Sequence, residues 1–228
     1  MIPTEQQLKE ALIALGYAVS HDLRAPLRAI EGFGQILAED FGKDLNEEAA
    51  GHIDHIRSAA ARMNKMIDGL LELSRVARAE MHRSRVDITA MVNSIMTDLR
   101  SSDPSRDVTF STDHWLAIDG DAALLEVAFR HLLRNAWKFT SRHASARIHV
   151  GREEASPRRI FVRDDGAGFD PAYAGKMFAP LQRMHSLSEF DGVGIGLAVV
   201  QRIIRRHGGD VSAEGRVENG ATIFIDLP

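Results

Sequence analysis

The 228-residue sequence predicts an α+β protein in two parts. An N-terminal helical hairpin forms a dimeric four-helix bundle, and an α/β sandwich follows it. Three observations carry this expectation. Apolar residues recur at steps of three and four from Leu8 to Met81, as helix faces require. Short β-branched runs then alternate with amphipathic runs, the pattern of a sheet covered by helices. Composition also changes near residue 80: residues 1–80 hold 9 Lys+Arg and 13 Asp+Glu, a balance of −4, whereas residues 81–228 hold 19 of each. The boundary is drawn between 1–82 and 83–228.

The first stripe runs Leu8, Leu12, Leu15, Val19, Leu23, Leu27, Ile30, Leu37 and Phe41. The second runs Ile53, Ile56, Ala60, Met63, Ile67, Leu70, Ser74, Ala77 and Met81, alternating three and four as coiled coils do. Gly42 to Asn46 separates them, with Asn46 a suitable N-cap and Glu48 in the first turn. Two helices alone leave much of both stripes uncovered, so a dimeric four-helix bundle is expected. A hairpin packed on its own downstream domain is the alternative. Strands are expected at Arg85–Ile88, Val108–Ser111, Trp115–Ile118, Ala146–Gly151, Arg159–Arg163, Asp210–Ala213 and Ala221–Leu227, and helices at Thr89–Arg100, Asp121–Thr140 and Gly194–His207. Turns fall at Glu153–Pro157 and Glu214–Gly220.

Composition excludes several classes. With 44% hydrophobic and 26% charged residues the chain can fill a core and is not disordered. It has no cysteine, which removes disulfide scaffolds, thiolate metal sites and cysteine nucleophiles. A net charge of −4 offers no global field for nucleic acid or anionic lipid. The longest nearly apolar run, Ala11 to Val19, falls short of the roughly 20 residues that span a bilayer. No membrane segment is expected, and a cytoplasmic location is compatible.

His21 lies two residues from Val19 and from Leu23. At about 100° per residue it points away from the apolar stripe, so it is exposed and free to meet another domain. Asp22 follows directly and can bias the imidazole tautomer. Pro26 interrupts the hydrogen-bond ladder one turn later. The string Ser20-His21-Asp22-Leu23-Arg24-Ala25-Pro26-Leu27 resembles the phosphoacceptor box of sensor histidine kinases, with a phytochrome-like subgroup left open. The resemblance implies that His21 attacks the γ-phosphate of ATP through Nε2 while Asp22 orients the ring.

Five further segments resemble that family's ATP-binding domain and stand along the chain in the family's order. His131-Leu132-Leu133-Arg134-Asn135-Ala136-Trp137-Lys138-Phe139-Thr140 is similar to the N box. There an amide oxygen of Asn135 suits Mg²⁺ and the Lys138 ammonium suits a phosphate; Phe139 belongs to the same implied site. Asp164-Asp165-Gly166-Ala167-Gly168 resembles the Asp-x-Gly-x-Gly box. It implies that Asp164 accepts a hydrogen bond from the adenine amine while Gly166 and Gly168 let the backbone approach. Gly192-Val193-Gly194-Ile195-Gly196-Leu197 opens a helix, where free N–H groups favour phosphate. Gly220-Ala221-Thr222 resembles the last glycine motif, and Lys176 to Arg183 resembles the phenylalanine box. Residues 179–191 would then form a lid, with Arg183 a candidate γ-phosphate contact. The implied fold of the second domain is the Bergerat ATP-binding sandwich.

The sequence departs from the family at several positions. His131 stands where the N box usually begins with Asn, Asp165 replaces a common Asn, Leu181 an aromatic, and Val193 a frequent Thr. Ala25 stands four residues after His21, where members with phosphatase activity carry Thr or Asn to position a water. Weak or absent phosphatase activity is therefore expected. His52 and His55 lack an evident third metal ligand and read as a solvated helix face. Arg202, Arg205, Arg206 and His207 end a helix, where cations suit the dipole.

The resemblance implies a homodimeric kinase that phosphorylates His21 from Mg-ATP and passes the phosphoryl group to the receiver domain of a response regulator. A non-catalytic, nucleotide-binding signalling scaffold is the alternative, hinted at by His131. An ATP-driven machine of the same superfamily would lack the His21 hairpin. The two domains use all 228 residues, so a sensor domain is expected upstream of this chain.

Overall fold

The computed structural model describes residues 5–186 and 188–228, and side chains from Asp22 onward. The chain divides into two units, Met1–Arg75 and Val76–Pro228.

The first unit is the hairpin. Helix α1 spans Glu5–Asp40 and continues through Pro26; helix α2 spans Glu47–Arg78, with Glu47 and Glu48 in its first turn. Asn46 caps α2 as expected, its Oδ1 accepting from the Ala49 amide at 2.8 Å. Leu27 of α1 and Ala60, Ile67 and Leu71 of α2 form a buried cluster. The rest of the apolar surface stays open within one chain. Leu23, Ile30, Leu37 and Phe41 of the first stripe and Ile56, Met63 and Leu70 of the second are exposed, and Phe33 and Ile36 join them. Leu8, Leu12, Leu15, Val19 and the His21 imidazole lie outside the described side chains.

The second unit alternates strands and helices. In order they are β1 (Arg83–Asp87), α3 (Ile88–Ser102), β2 (Asp107–Thr112), β3 (Ala117–Asp121), α4 (Ala122–Phe139), β4 (Ser145–Glu153), β5 (Ser156–Asp164), α5 (Gly196–Arg206), β6 (Asp210–Gly215) and β7 (Ala221–Asp226). β1 and β3 pair as an antiparallel ribbon, and the main sheet has the order β2-β4-β5-β7-β6. Its β2–β4 pair is parallel and the other pairs are antiparallel.

Two expected boundaries move for local reasons. Ile88 opens α3 instead of ending β1, because the Asp87 carboxylate accepts from the Ala90 amide at 2.9 Å and caps the helix. Trp115 does not start a strand: its φ is +60°, outside the extended region, and it is 90% exposed. The strand begins at Ala117.

Helix α4 is the spine of the core. Asp121 caps its N-terminus through the Leu124 amide at 2.9 Å, and Leu124, Leu125, Ala128, Phe129, Leu132, Leu133, Ala136 and Trp137 are buried along one face. Ala198, Val199, Val200, Ile203 and Ile204 of α5 are buried beside it. Alternate strand residues, Ala146, Ile148 and Val150 of β4 and Ile223 and Ile225 of β7, complete the core. Among the described residues no helix is long and apolar enough to cross a membrane.

Candidate functional site

The C-terminal end of α4, the end of β5 and the start of α5 bring most of the expected residues together. Asn135, Lys138 and Phe139 occupy the last turns of α4. Asp164 ends β5, and the loop after it folds back onto α4: the Ala167 amide donates to the Phe139 carbonyl at 3.0 Å. Gly166 permits this approach, since a Cβ there would sit 2.5 Å from the Phe139 carbonyl oxygen. The Gly220 amide donates to the Gly166 carbonyl at 2.8 Å, which ties the start of β7 to the same loop.

Asp164 is only 9% exposed. Burial pushes its carboxyl up to about 6, against the hydrogen bonds from Gly166 and Ala221 that favour the anion. The Gly166 amide reaches Asp164 Oδ1 at 3.0 Å. Such a carboxylate lacks bulk water and can take a further donor from a ligand. Asn135 is half-buried, and no hydrogen bond to its side chain is found among the described residues. Its amide oxygen is thus available to a hard cation.

Lys138 is partly buried and sits over the Phe139 ring, 4.1 Å from its centroid. Burial above all, and then the Arg183 guanidinium, lower its ammonium to about 8 against the opposing Asp191 carboxylate. Its Nζ lies 3.2 Å from the position that a Gly192 Cβ would take, so Lys138 faces the glycine-rich loop. Helix α5 begins at Gly196, two residues later than expected, because Gly194 holds φ at +72° and packs against the Gln182 backbone. Ile195 at the N-cap makes no side-chain hydrogen bond. That leaves the first turn, with Gly196 and Leu197, able to donate to an anion. His131 packs beside this turn, its Nδ1 3.0 Å from where a Gly196 Cβ would lie.

Two expected residues stand differently. Thr222 pairs with Arg163 in the β5–β7 ladder and accepts from its Nε at 3.1 Å. Strand side chains alternate faces, so Thr222 lies on the sheet face opposite Asp164 and its side chain does not join the cluster. Arg183 donates to the carbonyls of Phe190 at 2.8 Å and Gly192 at 2.5 Å. Its guanidinium pins residues 183–192 into a loop, although it remains close enough to bear on Lys138.

The sequence reading passed over the residues that fasten this loop. His185 and Phe190 pack on Phe139 at centroid distances of 5.1 and 5.2 Å and on each other at 5.0 Å. His185 Nε2 reaches the Gly168 carbonyl at 2.9 Å, and the Arg142 guanidinium lies 4.8 Å from the Phe190 ring centroid. The available signal was an aromatic and an imidazole ring five residues apart within residues 179–191. His52 is exposed, 4.0 Å from Glu48, and no group of three metal-ligating side chains occurs among the described residues.

The chain matches two family models in tandem. Residues 14–78 match the His Kinase A (phospho-acceptor) domain, and residues 120–228 match the histidine kinase-, DNA gyrase B-, and HSP90-like ATPase. Cyanobacterial phytochrome A of Nostoc sp. is 29% identical over 93% of this chain and 28% of its own length. Sensor histidine kinase TrcS of Mycobacterium tuberculosis is 33% identical over 92% of this chain and 42% of its own. The chain thus spans less than half of either relative. In fold it is similar to full-length ShkA solved in complex with AMPPNP, with a TM-score of 0.63, 21% identity, and coverage of 94% of this chain and 45% of that one. With the phospho-acceptor domain followed by the ATPase domain, the chain belongs to the sensor histidine kinases.

Proposed function

We propose that this chain is the catalytic core of a sensor histidine kinase that transfers the γ-phosphoryl group of ATP to His21 and then to an aspartate of a response-regulator receiver domain. The observation that carries the reading is the placing of an unpaired amide (Asn135), a partly buried ammonium (Lys138), a buried carboxylate (Asp164) and an uncapped helix start (Gly196) on elements that meet at the two glycine-bearing loops 166–168 and 192–196. Each matches one part of ATP. Asp164 accepts from the adenine amine, and Phe139 packs against the base. Lys138 and the amides of α5 take the phosphates. The hard oxygen of Asn135 fits Mg²⁺, which when bound neutralises charge between the phosphates. Bound AMPPNP in the ShkA neighbour supports the same ligand class here.

In the transfer, the Nε2 lone pair of His21 forms a bond to the γ-phosphorus as the bond to the β-phosphate oxygen breaks, and ADP leaves. Asp22, exposed on α1, keeps Nδ1 protonated and the ring oriented. Two chains pair through the apolar face that one hairpin leaves open, Leu23, Ile30, Phe33, Leu37, Ile56 and Met63, because a patch of that size on a hairpin calls for a partner. Ala25, exposed on α1, offers no polar group to position a hydrolytic water, so phosphatase activity is weak. The domain boundary is set at residues 82–83, after the end of α2 and just before β1. A nucleotide-binding scaffold without transfer is the second reading, favoured by His131 standing beside Gly196.

The test is incubation with γ-labelled ATP and Mg²⁺. Label that is acid-labile and alkali-stable, lost without Mg²⁺ or in Asn135→Ala, is the expected result. Nucleotide binding without any label would leave the scaffold.

A further inference from the structure

Lys138 and Phe139 stand in the last turn of α4, where a helix is weakest, because its last four carbonyls have no partner within it. Here those carbonyls belong to Ala136, Trp137, Lys138 and Phe139. The Thr140 amide and hydroxyl donate to the Ala136 carbonyl at 3.2 and 2.8 Å. The Ser141 amide donates to Lys138 at 3.1 Å, and the Ala167 amide to Phe139 at 3.0 Å. Trp137 shares the single hydroxyl hydrogen of Thr140 with Ala136. Its full partner comes from another element.

That partner is Arg106, half-buried in the turn between α3 and β2. Nη1 donates to the Trp137 carbonyl, and Nη2 donates to Thr140 Oγ1 at 3.1 Å. The guanidinium also lies 4.6 Å from the Trp137 ring centroid, a cation–π contact, and a cation suits the negative end of a helix dipole. The turn that presents Arg106 is itself fastened. The Arg106 amide donates to the Asp103 carbonyl at 3.4 Å, and Ser105 Oγ donates to Asp103 Oδ1 at 2.7 Å.

The helix end is thus gripped twice, at Trp137 by Arg106 and at Phe139 by the loop that follows Asp164. Two residues are about 200° apart around an α-helix, so the grips fall on nearly opposite sides, with Lys138 between them. The Trp137 carbonyl is in one rigid peptide plane with the Lys138 amide. Holding that carbonyl therefore holds the backbone from which the Lys138 side chain projects.

We infer that Arg106 is a positioning residue for the nucleotide: by holding the Trp137 carbonyl it keeps the last turn of α4 closed and sets Lys138 and Phe139 against the loop that follows Asp164. The nucleotide part rests on the ATP-site reading above. Without Arg106 the turn opens, the bond from Ala167 to Phe139 opens with it, and ATP must close both when it binds.

The test uses the full chain with Arg106→Met, Arg106→Lys and, as a control, Arg100→Met. Arg100 Nη2 donates to the Val108 carbonyl at 3.0 Å, a bond of the same kind beside the same turn that does not touch α4. In Arg106→Met, amide hydrogen exchange at residues 138–141 and at Ala167 is expected to rise about ten-fold, as for the loss of hydrogen bonds from a charged group. Exchange at Ile148 and Val150 in the core strand β4 stays unchanged. The Kd for ATP from titration calorimetry and the KM for ATP are expected to rise about ten-fold, while kcat at saturating ATP stays within about two-fold. Arg106→Lys, which keeps the charge without the planar fork, recovers part of the affinity, and Arg100→Met behaves as wild type. Unchanged exchange at Ala167, an equal rise in β4, a Kd unaltered in Arg106→Met, or the same loss in Arg100→Met would overturn the inference. Exchange is read without nucleotide. A wild type that binds no ATP would therefore refute the ATP-site reading, while exchange still decides whether Arg106 holds the end of α4.

Discussion

Replacing Asp164 by Asn should make the nucleotide-binding unit more stable and a poorer binder. Burial raises the carboxyl from an ordinary 3.8 to about 6, which corresponds to about 3 kcal/mol of destabilisation in the ionised state. Because the folded-state value is the higher one, this group's contribution is most favourable below about pH 4. It is lost as pH rises to about 6 and stays lost above that. Asparagine never ionises, but its buried NH2 lacks an assured partner and gives back about 1–2 kcal/mol. The net gain near neutral pH is about 1–2 kcal/mol, or a melting-point rise of roughly 2–6 °C for a unit of this size. Both tryptophans, Trp115 and Trp137, lie in the unit Val76–Pro228, so urea denaturation followed by tryptophan fluorescence reports on it separately from the hairpin. The difference between Asn and wild type should be largest near pH 7.5 and shrink steadily below pH 6. A variant that is less stable at pH 7.5, or a difference that does not change between pH 4 and 7, would refute the assignment of burial as the cause.

Binding of ATP to the free protein should follow a bell with limbs near pH 6 and 8, since it needs Asp164 ionised and Lys138 protonated. In Lys138→Arg the alkaline limb should move above pH 9; titration calorimetry at several pH values checks both. Leu23→Asp together with Ile30→Asp, at exposed α1 positions, should yield monomers by light scattering without unfolding the hairpin, whose own core is Leu27, Ala60, Ile67 and Leu71. His185→Ala removes a stacking partner of Phe139 and Phe190 and the bond to Gly168. Proteolysis within residues 183–192 should then quicken several-fold.

What was legible beforehand depended on how local its cause was. The α4 boundaries could be placed because Asp121 and Thr140 are polar residues flanking an unbroken amphipathic run, and they are the caps. The hairpin was legible from period alone, including Asn46 as a cap. Trp115 misled because aromatic residues favour strands, while its positive φ comes from the surrounding turn. Thr222 could be assigned to a motif from spacing, but its face depends on the β5–β7 register, which spacing does not reveal. The contacts of His185 and Phe190 with Phe139 and the hydrogen bonds of Arg206 to the Val76 and Ala79 carbonyls join residues far apart in the chain, and no local pattern marks them. Arg183 combined both cases: its position in the phenylalanine box was legible, and its hydrogen bonds to Phe190 and Gly192 were not.

Phosphoryl transfer to His21 is tested most directly by mapping the phosphorylated residue. After incubation with Mg-ATP, the wild-type chain should carry one phosphoramidate on Nε2 of His21, resolved by phosphorus NMR at alkaline pH and by mass spectrometry of the peptide containing residues 20–27. The His21→Gln chain should bind ATP with unchanged affinity and carry none. Phosphate on any other residue, or an unmodified His21 in a protein saturated with Mg-ATP, would contradict the assignment.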